Sequence, residues 1–303
     1  MARRPFPDPT KGHVGVLTMV YKDYFFLRKW YDYYKTQFGA EHLYIISHGN
    51  DPEHHRIAPD ANIIPVPRDP TLTQLERRRW GSLSHISSGL LSYYNWIICT
   101  DVDEIVVYDP GKAANLSSYF DMLGASEKIF RSYCPLGLEI IHNPALEPGD
   151  IAEDRNILSQ RRIFRINANY SKPCLLRYEG RFTVGGHANT HLPRVMADDL
   201  YLIHLRFFDY AHSYERLKSR RDMRQTMNNA EETDPLSGAW ANDIASLEDL
   251  SSRVPEKETI DFPEFRQKMV DGMKLLHNDT VAFWGGGRTK EVYRLPERFG
   301  TVF

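Results

Sequence analysis

Cysteine is scarce. The three present, Cys99, Cys134 and Cys174, are odd in number and too widely spaced for a disulfide framework or a C-x-x-C metal site. Set in apolar sequence, they are expected to be buried free thiols in a reducing, cytoplasmic compartment. Long apolar runs are missing as well: none approaches about 18 residues, and no apolar segment follows the arginines of the opening MARRPFPDPTKGH. Neither a membrane span nor a secretory signal is therefore expected. There is no excess of charge of one sign, with Lys plus Arg at 38 against Asp plus Glu at 40. A net charge of -2 gives no global electrostatic case for nucleic acid or an anionic membrane, so anion binding must be local. G-x-G-x-x-G does not follow the first apolar run, and G-x-x-x-x-G-K-[ST] occurs nowhere, which removes the main support for dinucleotide and P-loop sites. No internal repeat or low-complexity tract is evident.

What is present is an ordinary globular composition, 42% hydrophobic and 26% charged, over 303 residues. The run HVGVLTMV at 13–20 reads as a buried strand, and 22–38 carries Phe26, Trp30, Tyr33, Tyr34 and Phe38 near helical spacing, with Gly39 as its stop. Strands are expected in HLYIISHGNDP at 42–52 and at 62–66, a helix over 73–91, and a further strand in NWIICTDVDEIVVYDP at 95–110. Strand, helix, strand, strand, helix, strand argues for an α/β fold with a mainly parallel mixed sheet flanked by helices. In such sheets ligands sit beyond the carboxyl ends of the strands. Lys22, Asp51 and Asp101 all fall at such ends. A short helix capped by Asn115, and a strand at 128–134, should follow.

The stretch 95–110 organises the rest. Asp101, Asp103 and Glu104 leave a buried strand together, and alternation points Asp101 and Asp103 to one side. Such carboxylates repel unless a cation or hydrogen-bond donors neutralise them. A hard divalent ion completed by phosphate oxygens is one partner, since Mg²⁺ takes only one or two protein carboxylates; the alternative is an acidic turn that merely punctuates two strands.

VYKDYFFLRKWYDYY, HLYIISHGND and WIICTDVDEIVV together resemble family 2-like glycosyltransferases of the GT-A (Rossmann-like) fold, in the subgroup with N-E-x-x-x-L-x-E-W and D-x-D-E motifs. Trp30 and the D-V-D-E at 101–104 match in place, while Lys22 and Asp23 stand where the subgroup has Asn and Glu. The likeness covers the first 110 residues or so and weakens beyond them. It implies a GT-A-like nucleotide-sugar-binding and catalytic domain over 1–208. A helical C-terminal appendage, 209–303, would pack on it.

The implied activity is metal-dependent, inverting transfer of a sugar from a nucleotide-diphosphate sugar, UDP-sugars favoured, to an acceptor hydroxyl. The acceptor is a glycan, a lipid-linked group or a small molecule, in surface polysaccharide synthesis. Mn²⁺ or Mg²⁺ would sit on Asp103. Lys22, Asn50, Asp51, Gln74, Arg78 and Asp101 would contact the nucleotide sugar. The resemblance also offers Glu139 as general base, with Asp150 and Asp154 as further candidates, and a histidine, His187 or His204, as metal ligand. Its K-P-x-x-R segment is matched by KPCLLR at 172–177 and its later helix by HSYER at 212–216. His187 and His191 have i, i+4 spacing, but Gly185, Gly186 and Pro193 speak against the helix that a zinc pair of that kind needs.

Arg155, Arg161, Arg162 and Arg165, in the basic stretch 150–170, could approach a phosphate or form a solvated face, and the solvated face is favoured. WGGGRTKEVYRLP, 284–296, is either a surface tail or a loop whose Arg288 and Lys290 close over a diphosphate. A non-catalytic GT-A-fold binding or scaffold protein remains an alternative. A phosphohydrolase is disfavoured, because the haloacid-dehalogenase arrangement needs an aspartate on the first strand and HVGVLTMV has none.

Overall fold

In the computed structural model, which describes residues 6–70, 74–191, 193–226, 243–256, 260–276, 281–284 and 289–303, strand β1 (Gly12–Val20) lies at the centre of the parallel half of the sheet. Its last seven residues are all buried, the pattern of a strand covered on both faces. β2 (Leu43–His48) and β4 (Tyr94–Cys99) flank it in parallel, and β3 (Asn62–Val66) extends the sheet beyond β2. The connections carry helices α1 (Tyr24–Phe38), α2 (Pro52–Ile57) and α3 (Leu75–Leu90). The chain steps from β1 outward to β3 and then returns to the other side of β1. Strand order therefore reverses between β1 and β4, the place where an open α/β sheet leaves a crevice.

Beyond β4 the sheet becomes mixed, as expected for this class. β5 (Glu104–Tyr108), α4 (Leu116–Gly124), β6 (Ser132–Ile141), α5 (Ile157–Gln160), β7 (Ile163–Ile166), β8 (Leu175–Leu176) and β9 (Met196–Phe207) follow in order. Asn115 does cap α4, accepting from the Ser118 amide. The two-residue β8 joins β4 to β6, and β9 runs parallel to β6 and antiparallel to β5. α6 (Tyr210–Thr226) and helices Asp243–Ser251 and Phe262–Asp271 make the C-terminal stretch largely helical. It also holds the hairpin of β10 (Lys274–Leu276) and β11 (Val281–Phe283), and returns β12 (Tyr293–Arg294) to the sheet against β7.

Among the described residues β5 pairs with β9 alone. At Val106 two tyrosines of the aromatic helix α1 supply partners for its backbone: the amide donates to Tyr34 Oη at 2.9 Å and Tyr33 Oη donates to the carbonyl at 3.0 Å. Buried peptide groups need such partners. The six buried side chains of α1, including Trp30, thus fix the strand that leads out of the acidic motif. The three thiols are buried and free, as expected.

Two expectations need correction. The basic stretch 150–170 is a solvated face only in part: Arg155 is exposed, but Arg161 and Arg165 are buried, Arg161 on Asp209 at 3.0 Å and Arg165 Nε on Glu139 at 2.6 Å. Their partners lie 48 and 26 residues away, so local charge density could not reveal them. The strand expected at 128–134 in fact runs on unbroken through PLGLEII to Ile141, with all ten residues buried. Glu139 is therefore interior. Gly137 on the same strand permits a close crossing, because a Cβ there would lie 2.5 Å from the Tyr170 carbonyl carbon.

Candidate active site

The acidic motif lies in the turn from β4 into β5, and each of its carboxylates meets a cation brought from elsewhere. Asp101 accepts from Arg79 of α3 and from Lys172 Nζ at 3.2 Å. Lys172 also reaches Glu104 Oε1 at 2.7 Å, with its ammonium above the Trp80 and Tyr170 rings. Glu104 Oε2 is buried without a hydrogen-bond partner. Asp103 Oδ2 accepts from Arg216 Nη1 of α6 at 2.6 Å. Burial alone would raise the Asp103 carboxyl pKa, but Arg216, His204 and Arg220 outweigh it and hold it well below the ordinary carboxylate range. The same guanidinium donates to both oxygens of Asp23, through Nε at 3.0 Å and Nη2 at 2.9 Å.

β9 supplies the histidine. His204 stands between Glu104 of β5 and Glu139 of β6, and Glu139 in turn stands opposite Arg165 of β7. One row thus crosses four strands as Glu104, His204, Glu139, Arg165. The pairing of β6 with β9 shifts between Glu139 and Ile141, an irregularity of the kind that often re-aims side chains beside a site. His204 Nδ1 faces Glu139 Oε1 at 3.3 Å. An ionised carboxylate only accepts, so Nδ1 is the donor to Glu139, and Nε2 lies 3.9 Å from Asp103 Oδ2. The Tyr170 ring stacks on the imidazole at 3.8 Å between centroids, an approach that Gly137 makes possible.

Of the residues proposed from sequence, Asp101, Asp103, His204 and Glu139 come together here. Glu139 corrects the expectation of a general base. It is wholly buried, its carboxylate shared among Arg165, Asn167 and His204. Burial would raise its pKa, yet the His204 hydrogen bond and the Arg165 charge prevail and lower it. Enclosed by these partners, it orients His204. His187, the other histidine offered for metal, faces the Asn169 carbonyl at 2.8 Å. Burial first, then the Lys172 charge, pulls its pKa down to about 4.

The residues expected to contact a nucleotide sugar divide. Arg78 pairs with Asp69 at 2.9 Å and lines a cavity of about 270 Å³ with Met19, His48, Val66 and Arg79. That cavity runs along the ends of β1, β2 and β3 and joins the carboxylates through Arg79. Asp51 is committed locally: it caps α2 through the Glu53 amide and accepts from Tyr24 Oη at 2.7 Å. Asn50 and Gln74 are exposed left-handed residues in the turn before α2 and at the start of α3, and Gln74 makes no side-chain cap. Lys22 is exposed beside the Tyr21 ring. Arg288 of the expected closing loop lies outside the described residues, while Lys290 is exposed and its carbonyl accepts from Arg253.

Sequence reasoning passed over Arg79, Lys172, Arg216 and Tyr170. Lys172 and Arg216 lie in segments already singled out, KPCLLR and HSYER, and Arg79 lies in the helix expected over 73–91. Helical phase decides that Arg79, rather than Arg78, reaches Asp101.

Among the described residues, no group of three or more His, Cys, Asp or Glu side chains is arranged to hold a metal. Of the residues expected to hold a metal, Asp103 and His204 are the two brought together. A carboxylate oxygen and an imidazole nitrogen lie 3.9 Å apart, with the second imidazole nitrogen pinned by a carboxylate. The pair fits an ion on one condition, that Arg216 yields Oδ2.

Burial also lowers the pKa of His54, His142 and His191. Unfolded, these imidazoles and His187 take up protons near pH 6.5, whereas folded they resist until lower pH. Stability is therefore present above about pH 6.5 and declines as the pH falls, with His187 contributing down to about 4. Urea midpoints at pH 7.5, 5.5 and 4.5 should fall in that order; equal midpoints at 7.5 and 5.5 would refute buried neutral histidines.

No family model matches the chain, and no curated protein matches it. Among solved structures it is similar to the crystal structure of mannose-1-phosphate geranyltransferase from Thermus thermophilus. The identity is 10%, 76% of this chain and 67% of that chain are covered, and the TM-score is 0.26. Among the described residues no helix is long and apolar enough to cross a membrane.

Proposed function

We propose that the chain is a family 2-like glycosyltransferase moving a sugar from a nucleotide-diphosphate donor, a UDP-sugar in the favoured case, to an acceptor hydroxyl of a glycan, lipid-linked group or small molecule. The observation that carries this reading is the position of Asp101 and Asp103. They sit at the carboxyl end of β4, where strand order reverses, and Arg79 joins them to a cavity lined by the ends of β1, β2 and β3. In this reading the base and ribose enter the cavity beside His48 and Arg78. Asp101, held by Arg79 and Lys172, is pre-set to accept from a ribose hydroxyl. Asp103 and His204 would hold Mn²⁺ or Mg²⁺, which when bound offsets the negative charge that grows on the departing diphosphate. Glu139 and Tyr170 keep the imidazole of His204 in place. Inversion at the anomeric carbon and a place in surface polysaccharide synthesis belong to the same proposal.

A second reading, a GT-A-fold binding or scaffold protein without catalysis, draws on the cations that already neutralise the carboxylates. A panel of nucleotide sugars with Mn²⁺, assayed for slow donor hydrolysis alongside calorimetric titration of UDP, separates the two. Metal-dependent UDP binding with hydrolysis of at least one donor is expected. Binding without hydrolysis would favour the scaffold, and absence of both would overturn the nucleotide-sugar reading altogether.

A further inference from the structure

Arg216 grips two carboxylates in different ways. Its Nε and Nη2 edge makes a fork with both oxygens of Asp23, at 3.0 and 2.9 Å, whereas Nη1 makes one bond, at 2.6 Å, to Asp103 Oδ2. The fork fixes the guanidinium plane, so the single contact can be exchanged without moving the group. That contact falls on the very oxygen 3.9 Å from His204 Nε2. A divalent ion shared by Asp103 and His204 would face a fixed positive charge on its own ligand, and the two cations cannot both occupy Oδ2.

We propose that Arg216 is a diphosphate-binding residue held in reserve: Nη1 covers Asp103 until a divalent cation and the donor arrive together, then donates in place to a phosphate oxygen while Asp23 keeps hold of the other edge. The inference rests on the nucleotide-diphosphate reading above. Asp23 supports it independently. An aspartate at the start of a helix ordinarily accepts from the first amides and stabilises the helix by doing so. Asp23 makes no such cap on α1, and both it and Lys22 are left-handed, at φ 45° and 54°. Local stability has been given up to aim that carboxylate at Arg216. The surroundings also favour an added anion. Arg220, one turn along α6, has its pKa pushed down to about 10, by burial first and then by the Arg216 charge. A phosphate oxygen would relieve that crowding of positive charge. The Phe26 ring, 4.4 Å from the guanidinium carbon, walls the group on one side.

Calorimetric titration with Mn²⁺ alone, UDP alone and the two together, on the wild-type chain and on Arg216→Gln, tests the exchange. In wild type, each ligand should bind about tenfold more tightly in the presence of the other. In Arg216→Gln, Mn²⁺ alone should bind about tenfold more tightly, because Asp103 has lost its competitor, while UDP with Mn²⁺ should bind about tenfold more weakly. Opposite signs are diagnostic, since a merely structural role would weaken both. Thermal unfolding checks that the variant folds. If it does not, Arg216→Lys keeps the charge without the fork and should show the same pair of signs at smaller size. Changes of the same sign, or no change, overturn the exchange and leave the nucleotide-sugar reading standing. Wild type that fails to bind UDP both with Mn²⁺ and without it overturns both.

Discussion

Glu139→Ala should lower folding stability by about 3–5 kcal/mol, the usual consequence of removing one partner from a buried ion pair. Glu139 is wholly buried and is the carboxylate to which Arg165, itself buried, donates through Nε at 2.6 Å. Deleting it strands a guanidinium in the interior, and the Asn167 amide and His204 Nδ1 lose an acceptor as well. Single domains are stable by only about 5–15 kcal/mol, so this one change should approach the limit for folding. Urea denaturation gives the value. Glu139→Leu with Arg165→Met should be milder than Glu139→Ala, because no charge is then left unpaired. A double variant as unstable as the single would show that packing, and not the stranded charge, sets the loss.

Asp103→Asn should reduce donor turnover by about 10²–10³-fold, the range observed when one group that stabilises transition-state charge is removed. The side chain keeps its shape but loses the charge that a divalent cation requires, so metal-dependent UDP binding should disappear with the activity. Fold stability should change far less than in Glu139→Ala, because the Arg216 guanidinium retains both bonds to Asp23. Rates of donor hydrolysis and urea midpoints, measured on the same preparation, separate the two effects. Unchanged hydrolysis would remove Asp103 from the chemistry.

The early strands, the aromatic helix and the position of Asp101 and Asp103 could all be read from apolar periodicity and turn residues, which are local properties. What neutralises the acidic motif could not. Lys172 lies 71 residues from Asp101, and Arg216 lies 113 from Asp103. Chain folding, not spacing, decides that these cations meet those carboxylates. Glu139 misled for a related reason. All ten residues of β6 are buried, so no polar alternation marks which of them face inward, and an interior glutamate looks the same in sequence as one at a crevice edge. Arg79 was lost to helix phase. Three successive arginines point about 100° apart, and only the position of the first turn chooses among them.

The row Glu104, His204, Glu139, Arg165 bears on how the sheet forms as well as on what the site does. Had β9 annealed one residue out of step, Ile203 or Leu205 would lie between the two glutamates and His204 would turn to the opposite face of the sheet. The glutamates would lose the imidazole between them, and the His204 ring would be stranded among apolar neighbours. A strand pairing of apolar residues alone tolerates such slippage; this one penalises it at every ladder β9 makes. The polar row is in that sense a registration mark, and sequences that erased it would be expected to fold into a mixture of misaligned sheets before they lost the ability to collapse.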